Sequence, residues 1–138
     1  MKKVVAMVMV LVMCLVGGTS AYANGGVAPY MNNTHILRNY IDIANDGTAY
    51  IDIYCEGDDD VYQIRAFTYV AIKEGNSWKN IYVTSTSKCW ADSTTDTSLS
   101  KSHTVKLTQR GEYRVYTSFC VYGARPADLI NVAAYDTY

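Results

Sequence analysis

Beyond residue 35, apolar and polar side chains alternate in short stretches that Gly, Asn and Asp separate. A period of two is typical of β-strands that are buried on one face, and no stretch keeps the 3.6-residue period of a helix. The pattern predicts seven strands, at Ile36–Ile43, Thr48–Cys55, Val61–Lys73, Trp78–Thr86, His103–Gln109, Tyr113–Tyr122 and Leu129–Tyr135. Seven such strands predict an all-β fold, a single antiparallel β-sandwich.

The parity of each strand sorts its side chains into an inner and an outer face. In Thr48–Cys55 the odd positions are apolar and should face the core. In Val61–Lys73 the charged residues near both ends lie in the odd series, which marks that series as the outer one. In Tyr113–Tyr122 the even series carries Arg, Tyr, Ser and Cys. The outer faces of the last two strands are therefore predicted to be both aromatic and basic.

A polar stretch, residues 84–104, runs from the end of the fourth predicted strand to the start of the fifth, and twelve of its 21 residues are Ser or Thr. This composition fits either a long polar loop or a solvated edge strand. The sequence shows no repeat and no linker that would divide the chain. We expect a flexible N-terminal segment at 24–35, where Gly25, Gly26 and Pro29 occur, followed by one β-sandwich domain at 36–138.

The first 23 residues have the three parts of an export signal. Lys2 and Lys3 form a positive start, Val4–Val16 is an apolar core of 13 residues, and Ala21-Tyr22-Ala23 offers a cleavage site with small residues. The apolar core is shorter than the roughly 20 residues that a membrane anchor needs. We therefore expect residues 1–23 to be a cleaved signal-peptide helix and the mature protein to be secreted, extracellular and without a membrane anchor.

Cleavage would change the composition on which further inference depends. It leaves 115 of the 138 residues, and it removes two of the 12 basic residues against 13 acidic ones, so the formal net charge falls from −1 to −3. The cysteine count falls from four to three. A slightly acidic chain with no basic stripe is not typical of nucleic-acid binding.

Two segments resemble a known group of proteins. Ile64–Trp78, with the sequence IRAFTYVAIKEGNSW, leads through a Gly turn to a Trp, and Gly111–Val115 reads GEYRV. This combination resembles small secreted proteins of Gram-positive bacteria that are classed as domains of unknown function. The Gly111-x-Tyr113 motif is also similar to the tyrosine corner of immunoglobulin-like sandwiches. The resemblance implies export and an immunoglobulin-like sandwich, and it implies no activity or catalytic residues.

The three cysteines of the predicted mature chain are Cys55, Cys89 and Cys120. Outside the cytosol one pair should oxidise and leave an odd thiol. By analogy with the inter-sheet bridge of immunoglobulin-like domains, the pair expected is Cys55 with Cys120, although strand parity points Cys55 inward and Cys120 outward. The remaining thiol is read either as a nucleophile or intermolecular link, or as an unreactive group.

The sequence gives only weak evidence for metal-binding or catalytic sites. Asp58, Asp59 and Asp60 follow one another in a turn, and they are a weak calcium candidate without the spacing of an EF-hand. His35 and His103 are expected on the surface, and no catalytic motif accompanies them. The sequence therefore predicts no catalytic residues, no metal site of recognisable spacing and no cofactor.

A possible binding face is the strongest functional feature. If the third, fourth and sixth predicted strands are neighbours, their outward residues form one aromatic and basic patch, of the kind found at interface hot spots and sugar platforms. The alternative is ordinary strand composition, because tyrosine is a good strand residue and scattered exposed aromatics need no function. The candidate binding residues are Arg65, Phe67, Tyr69, Trp78, Tyr82, Arg114, Tyr116 and Tyr122.

The sequence thus favours a non-catalytic binding or surface-interaction module, not an enzyme, with a cell-surface glycan or protein as its partner. An alternative is a small secreted antibacterial or signalling polypeptide. A small extracellular hydrolase is the third hypothesis, because any two of the 13 acidic residues could converge in the fold.

Overall fold

The computed structural model describes residues 31–138, so the predicted signal peptide and most of the segment predicted to be flexible lie outside the described residues. Every regular element in this range is a strand, which confirms the all-β prediction. No helix within residues 31–138 is long and apolar enough to cross a membrane. The strands are β1 (Thr34–Ile43), β2 (Thr48–Gly57), β3 (Gln63–Glu74), β4 (Ser77–Asn80), β5 (Trp90–Thr94), β6 (Ser98–Lys106), β7 (Glu112–Tyr122) and β8 (Asp128–Thr137).

The strands form two antiparallel sheets that face each other. The three-stranded sheet has the order β1-β2-β6. In the five-stranded sheet β3, β7 and β8 are successive neighbours, while β4 and β5 pair with different parts of the other edge of β3. β1 and β2 share one sheet with the later strand β6, and β3 shares the other sheet with the last two strands, as in immunoglobulin-like sandwiches.

Eight strands occur where seven were predicted, and the main differences arise around the Ser/Thr-rich stretch. β5 lies inside it and was not predicted, and β6 begins at Ser98, five residues before the predicted start. The prediction that strand 78–86 continues to Thr86 is wrong, because β4 ends at Asn80. Edge strands that face solvent need few apolar side chains, so the hydrophobic alternation that predicts strands is weak in them.

The core is built on the pairing of β3 with β7, which runs from Gln63 opposite Tyr122 to Ile72 opposite Tyr113. The even residues of β3 and the odd residues of β7 face inward and are buried against β2 and β6. Two inward threonines, Thr68 and Thr117, hydrogen-bond to each other through their hydroxyl oxygens at 3.1 Å. Burying these two hydroxyl groups costs little free energy because each has a hydrogen-bond partner.

A buried carboxylate closes the side of the sandwich where β1 meets β8. Asp128 accepts hydrogen bonds from the backbone N–H of Asn32 at 2.7 Å and of Asn33 at 2.8 Å, and from the Thr34 hydroxyl at 2.7 Å. Burial alone would raise the pKa of Asp128, but these hydrogen bonds outweigh it and hold the pKa below its ordinary value. The N-terminal end of β1 is therefore tied to β8 by an ionised carboxylate.

Two further side chains stabilise the fold by donating hydrogen bonds to backbone carbonyls of other segments. The buried amide of Asn39 donates to the backbone carbonyl of Val132 at 3.1 Å, which again joins β1 to β8. The hydroxyl of Tyr113 donates to the carbonyl of Gln109, four residues earlier, at 2.6 Å. This is the hydrogen bond of a tyrosine corner, as the Gly111-x-Tyr113 motif predicts.

The three described cysteines are free thiols, so the predicted Cys55–Cys120 disulfide is absent. Cys55 lies on the inner face of β2 and is fully buried. Cys120 lies in the even, outward series of β7, in register with Arg65 of β3. The two side chains are on opposite faces of the five-stranded sheet, and no bulge in β7 reverses the parity. The strand alternation therefore outweighs the family analogy.

Thiol reactivity tests this placement. Burial raises the pKa of Cys55 to about 12, so its thiolate is scarce at neutral pH. We expect iodoacetamide to label Cys89 and Cys120 in the native protein, and Cys55 only after unfolding in urea, with peptide mass mapping as the readout. A peptide in which Cys55 is linked to Cys120, or equal labelling of Cys55 in the native protein, would contradict this arrangement.

The carboxylate of Asp128 should make stability depend on pH. Because its native pKa is lowered, its contribution is complete above the unfolded pKa of about 3.9 and is lost as the pH falls through the native value. Asp128→Asn should destabilise the protein at pH 7 by about 1–3 kcal/mol in urea unfolding, and by less at pH 3. The exposed Asp42→Asn is the matched control, and a difference of equal size at both pH values for Asp128→Asn would refute the role of the charge.

Candidate functional site

The outward residues of β3, β4 and β7 form one continuous surface, which we call the outer aromatic face. Its central members are Tyr69, Trp78, Arg114 and Tyr116, from the three strands. The β3–β7 register places Tyr69 directly opposite Tyr116, and cross-strand partners in adjacent strands have Cβ atoms about 4.5–5.5 Å apart. Trp78 is brought beside β3 through its pairing with Lys73. A rigid sheet therefore presents these side chains in fixed positions.

Arg114 lies among the aromatic rings of this face. Its guanidinium carbon is 4.9 Å from the ring centre of Trp78 and 5.5 Å from that of Tyr116. The Trp78 ring in turn lies 5.7 Å from that of Tyr135, which β8 places opposite Arg114. Cation–π contacts of this kind orient the guanidinium and keep it partly away from water.

The charge of Arg114 is not neutralised by the protein within residues 31–138. None of the salt bridges in this range involves Arg114, and its Nε atom is buried without a hydrogen-bond partner. Glu112, two residues earlier on the same side of β7, pairs with Lys73 at 3.0 Å. The outer aromatic face therefore carries an available positive charge.

A groove with a volume of about 450 Å³ opens on this face. Beside it, β4 ends at Asn80, the Ile81 N–H donates to the Val70 carbonyl at 2.9 Å, and β5 pairs with β3 only from Trp90 onward. The groove is lined by Tyr69, Asn80, Arg114, Tyr116 and Ser118. Three of the eight candidate binding residues thus line one cavity, together with two small polar side chains.

The remaining candidates are spread along and beyond the face. Trp78 adjoins the groove through Arg114. Arg65 and Phe67 lie further along β3, with the guanidinium carbon 5.4 Å from the phenyl ring centre. Tyr122 is at the far end of β7, where its ring is 6.4 Å from that of Tyr62.

Tyr82 does not belong to the face. It follows the end of β4, its ring lies 5.0 Å from the Lys88 ammonium, and it lines a separate cavity of about 250 Å³ with Ile72 and Leu107. The parity that placed it on the outer face assumed a strand continuing to Thr86. Its assignment to the patch is wrong because the chain leaves the sheet first.

Two groove residues were not among the candidates although the pattern contained them. Asn80 has the same parity as Trp78, and Ser118 has the same parity as Tyr116. Small polar residues stand out less than aromatic and basic ones in a search for binding chemistry. Their significance comes from the groove that they line together with Tyr69, Arg114 and Tyr116, which no local pattern reveals.

His103 is not the surface residue that was expected. Its side chain is only 16% exposed, and its Nε2 lies 2.7 Å from the Asp92 carboxylate. The ring of Trp90 stacks on it at 4.4 Å with an interplanar angle of 5°. Because β5 belongs to one sheet and β6 to the other, this cluster joins the sheets at the side opposite Asp128. His35, in contrast, is exposed and pairs with Asp58 at 2.6 Å.

The three consecutive aspartates do not form a ligand set. Asp58 is held by His35 and by the guanidinium of Arg125, which is 2.6 Å away, while Asp59 and Asp60 are exposed. Within residues 31–138 no group of three or more His, Cys, Asp or Glu side chains is arranged to hold a metal ion. Asp58 instead ties the loop after β2 to the loop before β8.

Comparison of the chain with protein-family models, with curated proteins and with solved structures finds no match.

Proposed function

We propose that this protein is a secreted, non-catalytic binding module that attaches to a cell-surface glycan or protein through the outer aromatic face. The observation that carries the proposal is the groove in which Arg114, without an acidic partner among the described residues, lies between aromatic rings. Rings of Tyr and Trp supply large contact areas at low cost in side-chain entropy, and together with Arg they dominate binding energies at protein interfaces.

The dimensions of the groove support a binding role. A volume of about 450 Å³ is within the range of about 300–1,000 Å³ found for small-ligand sites. Its walls combine two tyrosine rings with hydrogen-bonding groups from Asn80 and Ser118. Since these groups come from paired strands, little structure has to be ordered when a ligand binds.

Substitution of the two tyrosines tests the proposal. Tyr69→Ala combined with Tyr116→Ala should weaken retention of the exported protein on purified Gram-positive cell walls by about 30-fold, which corresponds to about 2 kcal/mol. Both side chains point away from the core, so the melting temperature should change little. Retention is measured by co-sedimentation of the protein with the walls.

The opposite sheet offers a matched control. Tyr40 and Tyr50 lie on the outer face of the three-stranded sheet and are 54% and 48% exposed. Tyr40→Ala combined with Tyr50→Ala removes the same chemical groups and should leave retention unchanged. The proposal fails if the two double variants are retained equally well, or if the control variant is the one that loses retention.

A further inference from the structure

Arg114 has a buried polar atom that the protein leaves without a partner. A buried N–H that makes no hydrogen bond costs about 1–3 kcal/mol, and such groups in native proteins commonly have a functional explanation. The Nε of Arg114 is one of these atoms, and it belongs to the guanidinium that lines the groove. A ligand in the groove does not reach this buried atom, but an anion bound to the terminal N–H groups would give the guanidinium the charged partner that it lacks among the described residues.

The chemistry of a guanidinium favours a planar anion. Arginine presents its N–H groups in a rigid fork that matches a carboxylate with two parallel hydrogen bonds. The rings of Trp78 and Tyr116 make cation–π contacts with the guanidinium of Arg114. The two terminal NH₂ groups then remain for a ligand, and a carboxylate can pair with them.

The distribution of charge on the two sheets points the same way. On the outer face of the five-stranded sheet, Arg65 and Arg114 have no acidic partner among the described residues, because Glu112 forms its salt bridge with Lys73. The outer face of the three-stranded sheet carries three acidic residues, Asp42, Asp52 and Glu56, against two basic ones, Arg38 and Lys106. In a protein whose formal net charge is −1, the groove therefore lies on the sheet face that attracts anions.

The rest of the groove is suited to a sugar ring more than to a peptide side chain. Asn80 can donate and accept hydrogen bonds, and Ser118, whose hydroxyl donates to Asn131 at 2.7 Å, retains lone pairs that can accept. The tyrosine rings offer flat surfaces for the apolar side of a sugar. None of the lining residues is aliphatic, so the groove has no pocket for an apolar anchor.

We infer that the outer aromatic face binds an acidic saccharide, with the carboxylate of a uronic-acid unit paired to Arg114 and its ring against Tyr69 and Tyr116. This inference rests on the proposed function and names its ligand class. Ala71 of β3 is the cross-strand partner of Arg114, and Arg65 lies six residues away from it on the same strand. At about 3.3 Å per residue, the two arginines are therefore about 20 Å apart along the sheet. A chain of acidic sugars long enough to reach Arg65 should bind more tightly than a single unit.

Oligogalacturonate and its methyl ester form a matched pair of probes, since esterification removes the charge and keeps the ring. Isothermal titration calorimetry with the exported protein should show at least 10-fold tighter binding of the acid. Arg114→Gln should abolish this preference, so that acid and ester bind alike, and Arg114→Lys should retain part of it. Arg38→Gln is the control, because Arg38 lies 5.8 Å from the Tyr54 ring centre on the opposite sheet.

Four results would overturn the inference. They are equal affinity of the native protein for acid and ester, absence of binding to both, an Arg114→Gln variant that keeps the preference, and an oligoglutamate peptide that binds as tightly as oligogalacturonate. If any of these occurs while cell-wall retention still depends on Tyr69 and Tyr116, the proposed function stands and the acidic saccharide is wrong. If retention is independent of the two tyrosines, the proposed function itself fails.

Discussion

The antiparallel register of β3 and β7 is the constraint on which the core and the candidate site both depend. It buries Ile64, Val70 and Phe119 between the sheets, and the same alternation turns Tyr69 and Tyr116 to solvent as direct neighbours. A slip of one residue would exchange the two faces of either strand and bury the tyrosines and arginines in place of the aliphatic residues. The outer aromatic face is thus held in place by the free energy that stabilises the core.

Polar side chains hold the two sheets in alignment at both sides. Asp128 and Asn39 connect β1 to β8, and the cluster of Asp92, His103 and Trp90 connects β5 to β6. These contacts are directional, whereas hydrophobic burial between two sheets is not. They specify how the sheets are placed over each other, and they do so without the disulfide that the family analogy predicts.

Hydrophobic alternation was sufficient to predict most of the strands and the inward or outward direction of their side chains. It predicted that Tyr69, Arg114 and Tyr116 point outward because parity is a local property of a strand, and their common surface followed from the assumption that their strands are neighbours. It failed where burial is shallow, as in β5, and where a strand ends for tertiary reasons, as β4 does before Tyr82. The Asp128 and His103 contacts join different sheets, so no local pattern contains them.

The central claim is that the register of β3 and β7 creates a binding face on the five-stranded sheet. Mapping of amide chemical shifts by NMR, with the purified protein and solubilised Gram-positive cell-wall fragments, tests it most directly. The account predicts that the largest changes occur around Tyr69, Asn80, Arg114 and Tyr116. Changes centred on Tyr40 and Tyr50 of the opposite sheet, or confined to the loops, would contradict it.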